Sequence, residues 1–428
     1  MDEQILKDYE SQITGLYGTI PGADTLRKSA FKDFEGQGFP SPKTEDWRYS
    51  DMRQFHKKPF DLVGHADEAA LPEALGEMSA RFVFVNGRYS EDLSDLGDLW
   101  QAISIRPLAN HVMSNEFRVN ELVRGTDGVS LLNTALLRDG LVLSIPAGVE
   151  IDDPIEIVHV MTEASEKASH IRHVVEMGEY SSVAIIERFV GDDSDYWTNI
   201  VMQARVTEGA KFKHIRVQED GPNSVHTAKA YVNLGGGAEY ICTNVALGAK
   251  VSRFDAQARI LEEGAHAVVN GIALAGTGQS HDMHTHVSHI VPHSSSDQVF
   301  RTVADGRGKT SYQGKVTVAK DAQRTLADQS FKALVFDKTA EANAKPELEI
   351  LADDVKCSHG ATVGQLDDKA IFYLTSRGID PVTARQMLVA AFTAEALEKI
   401  GFDDVKEALM GRIATWMHER ADRVGASG

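Results

Sequence analysis

The chain has 428 residues, 42% of them hydrophobic and 25% charged, which suits a globular protein of two or three domains. Its formal charge of −19 at pH 7 argues against nucleic acid and anionic membranes as main partners. Cys242 and Cys357 form neither a CxxC motif nor a disulfide framework, the N-terminus is acidic, and no apolar run approaches about 18 residues. We therefore expect a cytoplasmic protein.

The first 75 or so residues are predicted to be helical. Residues 2–18 and 23–38 carry apolar residues at helical spacing, and the second stretch ends at Gly36 and Gly38. Residues 65–80 are predicted to form another short helix. The apolar positions of the first helix are Ile5, Tyr9, Ile13 and Leu16.

From about residue 79 to 366 the pattern is typical of strands, because short β-branched and aromatic runs alternate with Gly, Asp and Asn turns. Gly-Ala pairs open predicted strands at Gly209, Gly237 and Gly264, and Gly178 begins a degenerate copy. The glycines are 31, 28 and 27 residues apart. This interval favours a solenoid that returns to one corner in each coil. A β-sandwich, with a turn every 8–12 residues or so, remains an alternative.

Two amphipathic helices are predicted at the C-terminus. In the first, Asp380 is the N-cap, Pro381 takes the first helical position and Gly401 ends the helix. The second covers residues 403–424. The pair either caps the solenoid or is presented to a partner. The expected apolar positions are Met387, Leu388, Ala391, Phe392 and Leu397 in the first helix, and Val405, Leu409, Ile413, Trp416 and Met417 in the second.

Two motifs suggest ligand chemistry but fit a structural role better. Gly308-Lys309-Thr310 resembles part of a P-loop, but Val303 stands where the motif needs glycine, and a predicted strand follows instead of a helix. Residues 281–293 hold five histidines that strand alternation divides between two faces, so a structural or surface role is favoured over a metal site. They are His281, His284, His286, His289 and His293.

Cys357 and His359 are the candidate ligand pair. On a strand they point to the same face, about 6.6 Å apart, while Ser358 points the other way. Thiolate and imidazole bind iron or zinc, but two ligands are half of a closed site. The residues alone therefore leave two alternatives, a buried structural pair or half of a site that another chain completes.

Five segments of the sequence resemble the SufB/SufD family of the SUF iron–sulfur cluster assembly machinery. They are spread over nearly the whole chain, and the last is the longest and most specific. They are Pro42–Met52, Phe84–Ser90, Leu131–Gly140, Tyr312–Gln329 and Lys345–Ile379.

The resemblance implies a right-handed parallel β-helix flanked by N- and C-terminal α-helical domains, and we place the boundaries at 1–78, 79–366 and 367–428. It also implies a non-catalytic scaffold that pairs with SufB through the β-helices and binds the SufC ATPase through its C-terminal helices. A transient iron–sulfur cluster would lie at the SufB interface. ATP would be bound by SufC, and this chain would bind no nucleotide.

Two sequence features favour the SufD branch of the family. SufB-like sequences typically carry EHEATTS where this chain has SHGATVG, and they carry a cysteine in the segment matching 328–336, where this chain has none. By resemblance, His359 and the neighbouring Cys357 would contribute to the shared cluster site. The alternatives are a SufB-type paralogue, a homodimer, or a β-helix enzyme acting on polysaccharide, for which no carboxylate pair is evident.

Overall fold

The computed structural model describes residues 2–50, 52, 55, 59–66, 68–108 and 122–425. Helices α1 (Glu3–Gly15) and α2 (Ala23–Gln37) begin the chain. The carboxylate of Asp2 caps α1 by accepting from the Gln4 backbone N–H at 2.8 Å, and α2 ends at Gly38 with φ 68°. Both predicted helices are therefore confirmed, and the four predicted apolar positions of the first are buried.

Among the residues that the structure describes, twenty strands follow. They are β1 (Asp61–Leu62), β2 (Ala80–Val85), β3 (Arg88–Asp95), β4 (Ser104–Pro107), β5 (Leu141–Ile145), β6 (Ile155–Met161), β7 (Lys167–Met177), β8 (Ser182–Gly191), β9 (Trp197–Val206), β10 (Lys211–Glu219), β11 (Val225–Leu234), β12 (Glu239–Ala246), β13 (Val251–Ile260), β14 (His266–Ala275), β15 (Ser280–His289), β16 (Ser295–Ala304), β17 (Lys309–Val318), β18 (Leu326–Val335), β19 (Glu341–Ile350) and β20 (Lys356–Gly364).

The strands form two ten-stranded sheets that together make a β-solenoid. Sheet A runs β19-β17-β15-β13-β11-β9-β7-β5-β4, with β1 paired to β7, and sheet B runs β20-β18-β16-β14-β12-β10-β8-β6-β2-β3. From β5 onward successive strands alternate between the sheets in eight coils. Neighbours within a sheet are parallel, except that β4 and β3 add antiparallel strands at the N-terminal end. The solenoid prediction is confirmed, and the β-sandwich alternative is wrong.

The glycine repeat marks a corner of the solenoid. Gly209, Gly237 and Gly264 have φ values of 62°, 61° and 78°, in the left-handed region that glycine enters without strain. Each donates its backbone N–H to a carbonyl of the next coil, those of Gly236, Glu263 and His293. The repeat is therefore confirmed as a column of turns that joins successive coils.

Non-glycine residues occupy the same corner in other coils. Tyr180, His293 and Arg324 have φ values of 56°, 54° and 58°, and each makes the equivalent bond to the following coil. The corner of the early copy is thus Tyr180, and Gly178 lies two residues before it. Sequence periodicity finds only part of the repeat, because the backbone conformation persists where the glycine does not.

Helix α3 (Gly128–Ala135) interrupts the strand region, where a helix was not predicted. Asp127 caps it by accepting from the backbone N–H groups of Val129 and Ser130 at 3.1 and 3.0 Å. All eight residues are buried, so the helix has no polar face for a periodicity search to detect. It packs on α2, and with α1 it covers the outer face of sheet A around Trp197.

The predicted helix at 65–80 is wrong for residues 68–79, which the structure describes as non-helical. Arg81 donates to the Pro72 carbonyl, Arg188 donates to the Glu73 carbonyl, and Asp404 accepts from the Glu77 backbone N–H. Side chains from the solenoid and the C-terminal helices therefore satisfy backbone groups that a helix would pair internally, which favours the non-helical conformation.

Three helices end the chain, α4 (Asp368–Ser376), α5 (Pro381–Leu397) and α6 (Asp403–Gly425). Asp380 caps α5 as predicted, accepting from the backbone N–H groups of Val382 and Thr383. The last two helices pack on the outer face of sheet B and leave the last coil uncovered. Among the helices of the described ranges, none is long and apolar enough to cross a membrane.

The buried side of α6 is the predicted one. For α5 the prediction is confirmed only in part, because Leu397 is buried and Phe392 packs half-buried against the same cluster, but other predicted positions are more exposed. Met387 is 47% exposed. Because α5 is apolar around most of its circumference, spacing alone could not select the side that meets the sheet. The buried residues of α5 are Ala384, Val389, Thr393, Ala396 and Leu397.

Ion pairs fasten the C-terminal helices to the solenoid. The buried Arg301 guanidinium on β16 lies 2.6 Å from the Glu395 carboxylate on α5. Arg420 on α6 forms a second ion pair, 2.9 Å from the carboxylate of Asp305, which follows β16. An ion pair to each helix therefore adds to the apolar packing that holds α5 and α6 against sheet B.

Candidate functional site

The C-terminal end of the solenoid is open. Each residue of β20 is exposed or half-buried, and so is each residue of β19, over strands that the structure describes completely. β19 carries Pro346 and four charged residues, features that discourage further strand pairing. β20 has no proline, and Lys356 is its one charged residue. The edge of β20 is therefore a free pairing edge.

Cys357 and His359 lie on this last strand. The register of β20 on β18 places Cys357 beside Ala327 and His359 beside Gln329, and both β18 partners are buried on the inner face of the solenoid. Cys357 is half-buried and His359 is exposed. The two candidate ligands thus share the inner face at the open end.

Ser358 points to the outer face, where its hydroxyl donates to the Asp328 carboxylate. Strand alternation therefore places these three residues as predicted. Burial raises the pKa of the Cys357 thiol above its ordinary value, a hydrogen bond with the Ala327 backbone opposes the shift, and the Asp328 carboxylate adds to it. The thiol is consequently protonated at neutral pH, so a metal ion that binds there displaces a proton.

Gln329 is a residue of this end that sequence reasoning missed. It is 3% exposed, and neither its Oε1 nor its Nε2 has a hydrogen-bond partner among the described residues. Buried amides are nearly always paired in native proteins. Nothing in the local sequence distinguishes this glutamine, because its isolation arises from the register with His359 and from the end of the sheet.

The five histidines of 281–293 do not converge. His281 and His289 are buried on the inner face of β15, His284 and His286 lie on its outer face, and His293 takes a solenoid corner. His284 pairs with Asp255 at 3.1 Å and lies 3.7 Å from Asp46, which ties the N-terminal region to sheet A. These contacts support the structural role.

Gly308-Lys309-Thr310 lies at the start of β17. Lys309 pairs with Glu341 at 2.9 Å, and the Thr310 hydroxyl donates to that of Thr302 at 3.0 Å. A strand follows the glycine, as predicted, so a helix N-terminus that could hold phosphate does not form here.

A group of potential metal ligands is buried deeper in the solenoid. Among the residues that the structure describes, His159, His173 and Glu187 converge, with 3.3 Å between the two Nε2 atoms and 4.0 Å from each to the carboxylate. The Leu141 backbone N–H donates to His173 Nδ1 at 3.0 Å, so the ring proton of a neutral His173 lies on Nε2 and faces His159. A metal ion would have to displace that proton, and the arrangement fits a hydrogen-bonded pair better.

Cys242 lies away from the open end. It is fully buried on β12, and its strand neighbour His214 lies 2.6 Å from the Glu187 carboxylate. The structure therefore does not bring the two cysteines together.

Comparison with known proteins agrees with this fold. The family model for the SUF system FeS cluster assembly SufBD core domain matches residues 159–392, and the SufBD N-terminal region matches 17–157. An iron–sulfur cluster assembly SufBD family protein of Synechocystis is 32% identical over 382 residues, 84% of each chain. Iron–sulfur cluster assembly protein SufD of Escherichia coli is 29% identical over 388 residues, 88% of this chain and 89% of that one.

Similarity extends to the other branch at lower identity. Iron–sulfur cluster assembly protein SufB of Bacillus subtilis is 24% identical over 361 residues, 82% of this chain and 76% of that one. The core match alone spans more than half of the chain. The chain therefore belongs to the SufBD family of the SUF iron–sulfur cluster assembly system.

Proposed function

We propose that the chain is a non-catalytic, SufD-type scaffold subunit that holds one half of a shared cluster-assembly site. The observation that supports this proposal is the position of Cys357 and His359 on the inner face of an open solenoid end. A nascent iron–sulfur cluster is the cargo of this site. Two side-chain ligands cannot hold it alone, so the other ligands come from a partner.

The pairing edge supports SufB as that partner. A SufB-type solenoid with its own free edge can add its strand to β20, and the two sheets then continue through the join. This places the ligands of the second chain opposite Cys357 and His359. A homodimer would use the same edge, but it would duplicate the Cys/His pair and provide no further type of ligand.

The C-terminal helices support the ATPase SufC as a second partner. Helix α4, which the structure describes in full, buries none of its residues, and Phe372 and Tyr373 are 73% and 55% exposed. Exposed neighbouring aromatics are typical of interaction sites. Since α5 and α6 are fastened to sheet B, movement of SufC would reach the solenoid through them.

Reconstitution tests this proposal. The chain is co-expressed with its SufB and SufC partners, and the isolated complex is loaded with iron and sulfide without oxygen, using wild type, His359→Ala and Cys357→Ala. We expect an intact complex in all three, with cluster absorbance lost in His359→Ala and reduced in Cys357→Ala.

Normal cluster formation in both variants would overturn the site assignment. Failure of the wild-type chain to form a complex with SufB would overturn the SufD-type assignment. Stable pairing with SufD in place of SufB would instead favour the SufB-type alternative, and turnover of a polyuronate by the purified chain would favour a polysaccharide-active enzyme.

A further inference from the structure

The inner face of the open end holds one side chain whose hydrogen-bonding groups are all unused. Gln329 Oε1 and Nε2 are both buried and without a partner among the described residues. Unpaired buried amides are rare in native proteins, so a hydrogen-bond partner for Gln329 is expected among the neighbouring side chains. Two neighbouring side chains could provide this partner, His359 and Gln298.

The strand register provides one neighbour. Gln329 on β18 is paired with His359 on β20, and both side chains lie on the inner face. Adjacent strands lie about 4.8 Å apart, so the amide is within one side-chain length of the imidazole. Because β20 is the last strand of sheet B, the His359 ring has open space beyond it.

The coil below provides the other neighbour. Gln298 on β16 is paired with Gln329, and its Oε1 accepts from the hydroxyls of Thr285 and Tyr312 at 2.5 and 3.1 Å. Its Nε2 is also unpaired. The two glutamines would form a simple amide ladder if the Gln329 amide turned toward Gln298, which is the competing explanation.

We propose that Gln329 is a positioning residue of the half-site, an inference that rests on the proposed function. Its Oε1 accepts the N–H of the His359 ring nitrogen that does not bind iron. Histidines that bind metals almost always donate their second ring N–H to such an acceptor, which fixes the tautomer and the ring orientation. Gln329 touches neither iron nor sulfide and acts through His359.

Gln329→Leu, Gln329→Glu and the matched control Gln298→Leu test this role in the full complex with SufB and SufC. Leucine keeps the volume and removes the acceptor, whereas glutamate keeps an acceptor oxygen. Cluster absorbance gives occupancy, and pulsed electron paramagnetic resonance of the reduced cluster gives the coupling to the histidine nitrogen. Thermal unfolding of each chain checks the fold.

We expect Gln329→Leu to lower cluster affinity by about 10- to 100-fold and to change the nitrogen coupling. Gln329→Glu should keep most of both, and Gln298→Leu should leave both at the wild-type level. Wild-type occupancy and coupling in Gln329→Leu would overturn the proposal. Equal effects of Gln329→Leu and Gln298→Leu on stability, with no change at the cluster, would establish the amide ladder instead.

His359→Ala, measured in parallel, distinguishes failure of the half-site from failure of the positioning role of Gln329. If His359→Ala loses the cluster while Gln329→Leu behaves as wild type, only the positioning role fails. If His359→Ala also behaves as wild type, the half-site itself is wrong, and the role of Gln329 fails with it.

Discussion

The protonation of Cys357 can be measured in the isolated chain. Thiolate, not thiol, reacts with iodoacetamide, and Cys242 is fully buried, so Cys357 dominates the reaction in the folded protein. We expect alkylation at pH 7 to be slower than for an unperturbed cysteine, because burial raises the pKa of this thiol. Rates measured from pH 6.5 to 10 give the shift directly.

Asp328→Asn tests the electrostatic part of this shift. Loss of the carboxylate should lower the pKa of the Cys357 thiol and speed alkylation near neutral pH, because Asp328 contributes to raising it. Asp92→Asn, on β3 at the opposite end of the solenoid, is the matched control. A rate that responds equally to both substitutions would contradict the local effect.

Individual residues differed in how far the sequence could predict them. Strand alternation was enough to place Cys357 and His359 on one face and Ser358 on the other. The unpaired amide of Gln329 and the proximity of His159 to His173 were beyond prediction, because each depends on which strands become neighbours. Registers between coils are not encoded in any local pattern.

At the scale of single elements, α4 provides a test of partner binding. Phe372→Ser should weaken binding of SufC by roughly 30-fold, since removal of a central interface aromatic typically costs about 2 kcal/mol. Isothermal titration of the chain with SufC would measure it. Leu261→Ser, at a 37% exposed solenoid turn, is the control.

An unchanged affinity for SufC in Phe372→Ser would remove α4 from the interface. An equal loss in Leu261→Ser would point to a general effect on folding. The sequence analysis did not predict α4, and helical spacing would in any case not show whether another element covers its aromatic side chains.

Helices with both an apolar and a polar side were predictable, as α1 and α6 show. The failures have physical causes of two kinds. Helix α3 is buried on all sides and α5 is apolar around most of its surface, so neither has an informative period. In residues 68–79, hydrogen bonds to Arg81, Arg188 and Asp404 replace those of a helix, a tertiary effect that outweighs helix propensity.

At the scale of the whole molecule, buried neutral histidines make the fold sensitive to acid. Burial lowers the pKa of His170 to about 3, and those of His173, His281 and His289 to about 4. In the unfolded chain these groups titrate near 6.5. Between about pH 6.5 and 4 the unfolded state therefore binds more protons, and the free energy of unfolding falls as the pH falls.

Urea unfolding between pH 7 and 5 measures this loss. Each such histidine contributes up to about 1.4 kcal/mol per pH unit within that window. His289→Gln, which cannot be protonated, should reduce the slope by about that amount. A slope unaffected by His289→Gln would contradict the assignment.

The two ends of the solenoid are not equivalent, and this limits how large an assembly can grow. At the N-terminal end the charged strand β3 and the short β4, which finishes at Pro107, leave edges that resist further pairing. At the other end β20 remains free. If chains join through β20, as proposed above, a single joinable end limits growth to two solenoids. Each pair would then enclose one joint, and filaments would not form.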